Sequence, residues 1–444
     1  MLTILYGILG LGLIVLIHET GHLIASKICG VKVEAFSVGM GPILLHKTIK
    51  GTDYRLSLIP LGGYCEMKGE KAFTEALENN YPEIQGEPDS FYGIHPLKRA
   101  FIAFMGPFFN VLFAFLAFII ISAIGYNYYS TPSKIIIASD VYADISSPAG
   151  KAGIKTGDTI IQIDDEPIIN FADISSYVSL HPDEDLVFTV LRDGEKLKIT
   201  VRTELDTSTG AGKIGVLNWV EPVVAEIIPE SSAAKIGLKP GSVITMVDDK
   251  PVLNTNDISQ LITGKETALI QWTNDSGTFS GILDLQTDDV GIRFASNQYH
   301  TKTYGFFGSI KQGFLETVDT IGLTFKSIGL LFKGVDFTSA VSGPIRITQM
   351  IGETAVAGFS ASFSTGLVTV LNFLALISIS LFIMNLLPIP ILDGGLITFA
   401  LIETISRKKI SPKVMYYVQF IGLAFIAVLF SIAMFSDFRY LFNN

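Results

Sequence analysis

His18, Glu19 and His22 form an HExxH motif inside an otherwise apolar segment near the start of the chain. On a helix, residues four apart share one face, so the two imidazoles can bind one Zn²⁺ while the glutamate serves as a general base. The preceding stretch Leu2–Ile17 carries no charge. Ionisable side chains within a membrane span are unfavourable and usually functional, so the motif predicts a metal site there. A polar contact between helices is the alternative.

A second polar motif lies far along the chain, at Asn385–Gly395, with the sequence Asn-Leu-Leu-Pro-Ile-Pro-Ile-Leu-Asp-Gly-Gly. Asp393 is the only acidic residue in this apolar region, and a catalytic zinc commonly takes a third protein ligand. Pro388 and Pro390 must break the helix, which a membrane tolerates where the freed backbone lines a cavity. A simple kink is the alternative. Asp393 and His18 are expected in the same half of the bilayer, so the two motifs are predicted to meet.

The composition indicates a membrane protein. The 444 residues are 49% hydrophobic, and their mean hydropathy is +0.46. A helix needs about 20 apolar residues to cross the hydrocarbon core of a bilayer. Four segments satisfy this requirement, at residues 1–28, 100–125, 364–395 and 414–436.

The distribution of charge predicts the orientation. Lys and Arg concentrate in residues 29–99 and 396–413 and are scarce at both termini, so these two loops are expected in the cytosol and the termini outside. The middle region Lys134–Lys302 would then be extracytoplasmic. It holds 25 Asp and Glu against 14 Lys and Arg, an acidic balance that argues against a nucleic-acid partner.

The cysteine content and the start of the chain exclude two further features. Cys29 and Cys65 fall on the predicted cytosolic side, so no disulfide is expected and both are interpreted as buried structural thiols. The first residues lack a basic segment and a small-residue cleavage site. They are therefore not expected to be a removable signal peptide.

The middle region contains a repeat. Shifting the sequence by 84 residues aligns Gly153–Asp158 with Gly237–Ser242, and similar residues continue to match on both sides. Such a match implies two copies of one domain. A short helix that ends at glycine, a turn and a strand resemble the bacterial PDZ module. Lys213–Val216 resembles its carboxylate-binding loop, where backbone amides can hold a peptide C-terminus. It would lie in the usual upstream position only for the second copy; the first would need a permuted strand order. Peptide binding and steric gating both stay open.

Two further elements are predicted beside the metal motifs. Lys32–Val38 and Tyr54–Ile59 alternate like strands around a turn at Lys50–Asp53, which predicts a hairpin. An amphipathic helix is predicted from apolar residues spaced three and four apart, with an interfacial role or plain packing as alternatives. Its residues are Phe307, Ile310, Phe314, Val318, Ile321, Phe325, Ile328 and Phe332.

These motifs together resemble the site-2 protease family, and the likeness covers nearly the whole chain. It rests on HExxH in a first span and Asn-x-x-Pro-x-Pro-x-Leu-Asp-Gly-Gly in a later one. Further matches are Gly39-Met40-Gly41-Pro42, Gly106-Pro107 with Asn110, the paired PDZ modules and Ser342-Gly343-Pro344. One departure is Leu396, where many members have histidine; that position is not a ligand.

The resemblance implies specific roles. His18, His22 and Asp393 would bind zinc, and Glu19 would activate water. Asn385 would contact the substrate backbone or the oxyanion beside the scissile bond. The loop with Gly39 and Gly41 would bind substrate, and the hairpin would dip into the membrane beside the site, where its edge could pair with an unwinding substrate helix.

The function implied is that of a zinc metalloprotease that cleaves single-span membrane proteins within the bilayer of a bacterial inner membrane. Its substrates would be anti-sigma factors trimmed by another protease, in envelope stress signalling, or remnant signal peptides. The PDZ pair would filter out untrimmed proteins. The alternative is a non-catalytic membrane scaffold that binds peptide C-termini through its PDZ pair. A zinc transporter is a third option, but no chain of polar residues continues across the bilayer.

The predicted fold is therefore a polytopic α-helical membrane protein with four spans, a membrane-associated β-hairpin and two extracytoplasmic α+β PDZ domains. The expected order is a first span with HExxH (1–28), a cytosolic loop with the hairpin (29–99), a second span (100–125), the PDZ domains (126–206 and 207–296), amphipathic helices with the Ser-Gly-Pro segment (304–360), a third span with the Asn/Asp motif (364–395), a cytosolic loop (396–413) and a fourth span (414–436).

Overall fold

The computed structural model describes residues 2–286, 289–330 and 342–443. The chain forms two compact units. The first comprises Met1–Tyr126 and Thr301–Asn444, and the second comprises Asn127–His300. They are called the helical unit and the repeat unit below.

Long helices dominate the helical unit. Four of those described are long and apolar enough to cross a membrane: Leu2–Cys29, Pro96–Ile124, Phe363–Leu386 and Pro412–Arg439. They coincide with the four predicted spans. The helices of this unit are α1 (Leu2–Cys29), α2 (Glu70–Glu78), α3 (Pro96–Ile124), α9 (Phe306–Leu330), α10 (Pro344–Ala361), α11 (Phe363–Leu386), α12 (Asp393–Ser406) and α13 (Pro412–Asn443).

The third predicted span is interrupted before its expected end. Helix α11 stops at Leu386, and α12 begins only at Asp393. Pro388 and Pro390 fall in this gap; neither has a backbone N–H to donate, and each ring clashes with helical backbone on its N-terminal side. Asp393 is thereby the first residue of a new helix rather than the last of the span.

Glycines allow α1 and α3 to approach closely at the depth of the HExxH motif. A Cβ atom at Gly21 would lie 2.1 Å from the carbonyl oxygen of Met105. One at Gly106 would lie 2.2 Å from Nε2 of His22. Any side chain at either position would push the two helices apart, so both glycines are required for this packing.

The predicted hairpin is present and is longer than expected. Strand β1 spans Val33–Ile49 and β2 spans Thr52–Met67, joined at Lys50-Gly51. The ladder bends back on itself, so the β1 segment Ala35–Val38 pairs both with Gly63–Glu66 and with Asp53–Leu56. Apolar side chains protrude from this sheet: Met40, Ile43, Leu44, Leu45, Leu56, Leu58 and Ile59 are all exposed.

The repeat unit consists of two modules that share most of their order of elements; among the described residues, one short helix and one pair of two-residue strands occur in the first module alone. Each has a four-stranded antiparallel sheet, in the order β6-β5-β7-β8 in the first module and β14-β13-β15-β16 in the second, and a separate pair that joins its first strand to its last. The first module contains β4 (Ile135–Ile137), α4 (Ala138–Val141), α5 (Pro148–Ala152), β5 (Thr159–Ile163), β6 (Glu166–Pro167), α6 (Phe171–Ser179), β7 (Asp185–Arg192), β8 (Glu195–Arg202), β9 (Glu204–Leu205), β10 (Gly212–Lys213) and β11 (Val216–Asn218). The second contains β12 (Val224–Ile227), α7 (Ser232–Lys235), β13 (Val243–Val247), β14 (Lys250–Pro251), α8 (Thr255–Ile262), β15 (Thr267–Asn274), β16 (Gly277–Asp284) and β17 (Ile292–Phe294). At the two ends of the repeat unit, β3 (Asn127–Ser130) pairs with β18 (Asn297–His300).

The segment Lys213–Val216 belongs to the first module, not upstream of the second. Ile214 is buried in the core of the first module, and Val216 pairs with Ile137. The expected boundary at residue 207 therefore falls elsewhere, after β11. In both modules this loop comes late in the chain: Lys213–Val216 leads into β11, and the equivalent loop of the second copy precedes β17. The order of elements expected only of the first copy is therefore found in both.

Helix α9 contains the predicted amphipathic stripe except for Phe332, which lies outside the described residues. Small residues form its buried face: Ser309, Gly313, Thr317 and Thr320. Gly313 packs against Ile119 of α3. The aromatic residues Phe307, Phe314 and Phe325 are exposed. The helix thus packs through its small side chains and through Ile321 and Ile328, which contact a core cluster formed by α3 and α11, while these aromatic residues of the stripe face away from the core.

Candidate metal centre

The HExxH motif lies about two to three turns before the C-terminal end of α1. Both of its imidazoles reach the same point. His18 Nε2 and His22 Nε2 are 3.2 Å apart. The rings are nearly perpendicular, with centroids 4.8 Å apart. This is the geometry expected for residues four apart on one helical face.

Asp393 reaches the same point from the start of α12. Its Oδ2 lies 3.2 Å from His18 Nε2, and its Oδ1 lies 3.4 Å from His22 Nε2. The potential ligand atoms of the three residues all lie within 4.8 Å of one another. Two imidazole nitrogens and one carboxylate oxygen suit a catalytic zinc, which keeps a further position for water or substrate. The donor set therefore fits the metal that the sequence predicts.

His22 is oriented by the backbone of α3. Its Nδ1 lies 2.9 Å from the carbonyl oxygen of Ile102, and this contact is buried. The Nδ1–H donates to that carbonyl, which fixes the neutral tautomer whose Nε2 is available to a metal. A second partner of this kind orients the ring and makes the ligand more basic.

Asn110 holds the corresponding place behind His18. It is fully buried, and its Nδ2 lies 3.2 Å from His18 Nδ1. Its Oδ1 has no hydrogen-bond partner. Amide nitrogen and oxygen are interchangeable in position, so a half-turn of the amide lets Oδ1 accept from His18 Nδ1–H. That arrangement leaves His18 Nε2 available to the metal, as Ile102 does for His22.

In the sequence, Asn110 belongs to a motif with Gly106-Pro107, and this motif alone predicts no role for its side chain. The available signal was its position, because it is the one strongly polar side chain in the second span. Its partner could not be identified, since the contact depends on the close packing of α1 against α3.

Glu19 lies in a cavity of about 350 Å³ together with the three candidate ligands. Its carboxylate accepts a hydrogen bond from the backbone N–H of Cys65. Asn385, near the end of α11, lines the same cavity, as do Tyr64 and Met67 of β2. One wall of the cavity is therefore formed by the edge of the sheet.

Gly39 and Gly41 do not line this cavity. Both have positive φ angles, of 87° and 82°, and they lie where β1 bends between its two sets of partners. A Cβ at Gly39 would approach the carbonyl oxygens of Ser57 and Ile59 to within 3 Å. Their evident contribution is to the bend of the sheet, and contact with a substrate stays a prediction.

Comparison with known proteins places the chain in a family. Residues 6–429 match Peptidase family M50. A protein of Treponema pallidum (strain Nichols) named "Putative zinc metalloprotease" is 42% identical over 453 residues, covering 100% of both chains. The Regulator of sigma-E protease RseP of Escherichia coli (strain K12) is 30% identical over 461 residues and covers 97% of each chain. The Regulator of sigma E protease of Haemophilus influenzae is 29% identical over 453 residues, again with 97% of each chain.

The match extends over almost the entire chain and so includes both polar motifs and the four apolar helices. The family of zinc metalloproteases agrees with the two imidazoles and one carboxylate found together in this structure, which suit zinc. This membrane protein therefore belongs to peptidase family M50, the site-2 protease family, and is a zinc metalloprotease.

Proposed function

We propose that this metalloprotease cleaves single-span membrane proteins within the bilayer, with zinc held by His18, His22 and Asp393. The observation that carries the proposal is the position of these residues. The histidines lie on a helix that is apolar enough to cross a membrane, and Asp393 joins them in one cavity. Polar groups in hydrocarbon are retained where they have a function.

The protein side chains divide the chemistry between them. When bound, zinc supplies a Lewis acid that polarises a carbonyl and makes water nucleophilic near neutral pH. Glu19 accepts a proton from the attacking water and returns it to the nitrogen of the departing amine. Ile102 and Asn110 keep the two imidazoles in the metal-binding tautomer. The amide of Asn385 binds the substrate backbone or the developing oxyanion.

A substrate helix must become extended before its backbone can reach this cavity. The β2 segment Gly63–Met67 is well placed to hold it, because Tyr64, Cys65 and Met67 line the cavity. In the described residues its ladder partners are Val33–Val38 of β1. We propose that the substrate adds as a strand along the other side, where main-chain hydrogen bonds would replace those of its helix. Gly39 and Gly41 would act by shaping this sheet.

The two modules of the repeat unit are proposed to be PDZ domains on the extracytoplasmic side of a bacterial inner membrane. Their common strand order and their short helices support this assignment. They would exclude untrimmed proteins or bind peptide C-termini. Anti-sigma factors and remnant signal peptides are the proposed substrates, which would place the enzyme in envelope stress signalling; the names of the Escherichia coli and Haemophilus influenzae relatives refer to sigma-E.

The test is to map the bond that is cut. Purified full-length protein in lipid vesicles would be given a single-span substrate, and the products would be identified by mass spectrometry. We expect a cut within the apolar span in the wild type and none in His18→Ala. A cut confined to the water-exposed flanks would contradict intramembrane cleavage. Binding of a peptide C-terminus without any zinc-dependent cut would favour the PDZ scaffold.

A further inference from the structure

A second cavity, distinct from the metal centre, lies in the helical unit between the start of α3 and the end of α12. Its volume is about 520 Å³. Its wall includes a group of ionisable side chains: His95, Arg99, Glu403, Arg407, Lys408 and Lys409. None of these residues takes part in the proposed catalysis.

The charges on the wall do not balance. Arg99 pairs with Glu403, and Lys409 lies 3.5 Å from Glu83. Arg407 and Lys408 have no ion-pair partner in the described part of the chain, and both are exposed. The cavity therefore presents a surplus of positive charge around a neutral buried pair.

Arg99 also offers a donor that the protein does not use. Its side chain is only 8% exposed, and its Nε is buried without a hydrogen-bond partner. Leaving a buried donor unsatisfied is unfavourable, and more so when the group is charged. An acceptor supplied by a ligand would relieve this, and arginine matches the oxygens of a phosphate group particularly well.

The position along α3 indicates where such a ligand would come from. Arg99 is the last charged residue before the uncharged run Ala100–Ile124, so the cavity lies at the level where the span meets the membrane surface. The phosphates of lipid headgroups occupy this level. Basic pockets between membrane helices are known sites for anionic headgroups.

We infer that this cavity binds the phosphate group of an anionic phospholipid. Arg407 and Lys408 attract the headgroup, and Arg99, held by Glu403, donates to a phosphate oxygen. Since α12 begins at Asp393 and ends at the cavity, a bound headgroup would tie the far end of that helix to the start of α3. The inference concerns binding alone and does not depend on the proposed catalytic roles.

The test uses full-length protein in nanodiscs that contain phosphatidylglycerol and phosphatidylcholine, with retained lipids identified by native mass spectrometry after transfer to detergent. The variant is Arg407→Asn with Lys408→Gln, where asparagine suits the positive φ of 55° at residue 407. A basic residue near an anionic lipid surface is worth about fivefold in binding through general attraction, and a direct contact with the headgroup adds to this, so the variant should retain phosphatidylglycerol at least roughly 30-fold less well.

A matched control removes the same charge nearby. Lys98→Gln with Lys413→Gln changes two exposed lysines at the starts of α3 and α13 that do not line the cavity. This control loses only general attraction to the anionic surface, so it should retain phosphatidylglycerol clearly better than the cavity variant. Equal retention by the cavity variant and the wild type, or equal loss in the cavity variant and the control, overturns the inference. An added arm with inorganic phosphate separates the sources: binding of phosphate without retention of any anionic lipid overturns the assignment to a headgroup.

Discussion

The repeat unit and the candidate metal centre of the helical unit use buried polar side chains in opposite ways. In the repeat unit, Asn170 and Asn254 accept hydrogen bonds from backbone N–H groups at the starts of α6 and α8, and both form complete capping boxes. In the helical unit, His18, His22 and Asp393 turn towards one another. Side chains that satisfy backbone groups stabilise a fold, whereas a cluster whose members face each other in an apolar setting is arranged for a ligand.

The two modules of the repeat unit show a finer difference. In the first, Asp158 is 2% exposed and pairs with Arg192 at 2.6 Å. Shifting by 84 residues places Ser242 at the same position of the second module, and its buried hydroxyl has no partner. Equivalent folds are thus held together with an ion pair in one copy and without it in the other.

The largest effect is expected at the third candidate ligand. Asp393→Ala removes one of three donors, so zinc affinity should fall by more than the roughly 10–100-fold that loss of an outer partner causes, and cleavage should be lost. Zinc per chain is measured by atomic emission. The control is Glu353→Gln, an exposed carboxylate of α10, which should keep full zinc content. Normal zinc content in Asp393→Ala would exclude it as a ligand.

The next effect separates the two modules. Asp158→Ser leaves Arg192 without its partner and should destabilise the first module by about 3 kcal/mol, the lower end for a buried pair because Arg192 is partly exposed. Ser242→Ala removes an unpaired hydroxyl and should change stability by less than about 0.5 kcal/mol. Amide hydrogen exchange of the full-length protein, compared between β5 and β13, measures both. Similar losses in the two variants would show that the modules do not differ in this way.

A smaller effect is expected behind His18. Asn110→Ala removes the partner of Nδ1, so zinc affinity should fall by about 10–100-fold. Competition with a chelating indicator measures this. Ser122→Ala changes another buried polar residue of α3 and should leave the affinity unchanged. Equal affinities for Asn110→Ala and the wild type would assign Asn110 to packing alone.

The smallest effect concerns pH. Burial, together with a hydrogen bond to Asp164, raises the pKa of Tyr177 in the first module to about 12. An unfolded tyrosine has a pKa near 10. Between pH 10 and 12 the unfolded chain therefore loses this proton first, so the stability that depends on protonated Tyr177 is lost as the pH rises through that window.

Tyr177→Phe tests this because phenylalanine has no ionisable proton. The equivalent residue of the second module is Leu261, which does not ionise either. Scanning calorimetry of the full-length protein between pH 9 and 12 should show a weaker decline of Tm in the variant than in the wild type. Parallel declines would indicate that Tyr177 ionises normally in the folded module.

The metal centre could be anticipated because its two motifs are local and their expected depths agree. HExxH determines the relation of His18 to His22 through the pitch of one helix. Asp393 was identified because few acidic residues occur in apolar sequence. The role of Asn110 depends instead on the close approach of α1 and α3 at Gly21 and Gly106, which no local pattern reveals.

In the repeat unit, the number of modules could be predicted from the sequence, but the pairing of distant strands could not. The similarity between segments 84 residues apart predicted two copies correctly, since it reflects short helices, turns and caps. Lys213–Val216 was placed with the wrong copy because its partner strand β4 lies about 80 residues earlier, and pairing between distant strands leaves little trace in local sequence. The hairpin was underestimated for a related reason, as its bent ladder depends on long-range pairing around Gly39.

The most direct measurement compares Glu19→Gln with the wild type for both zinc content and cleavage of a single-span substrate. The substitution keeps the size of the side chain and removes its capacity to accept a proton. We expect zinc to remain at wild-type content and cleavage to fall by about 10²–10⁴-fold, the usual contribution of a general base. Cleavage at the wild-type rate by Glu19→Gln, with zinc still bound, would contradict the assignment of this cavity as the active site.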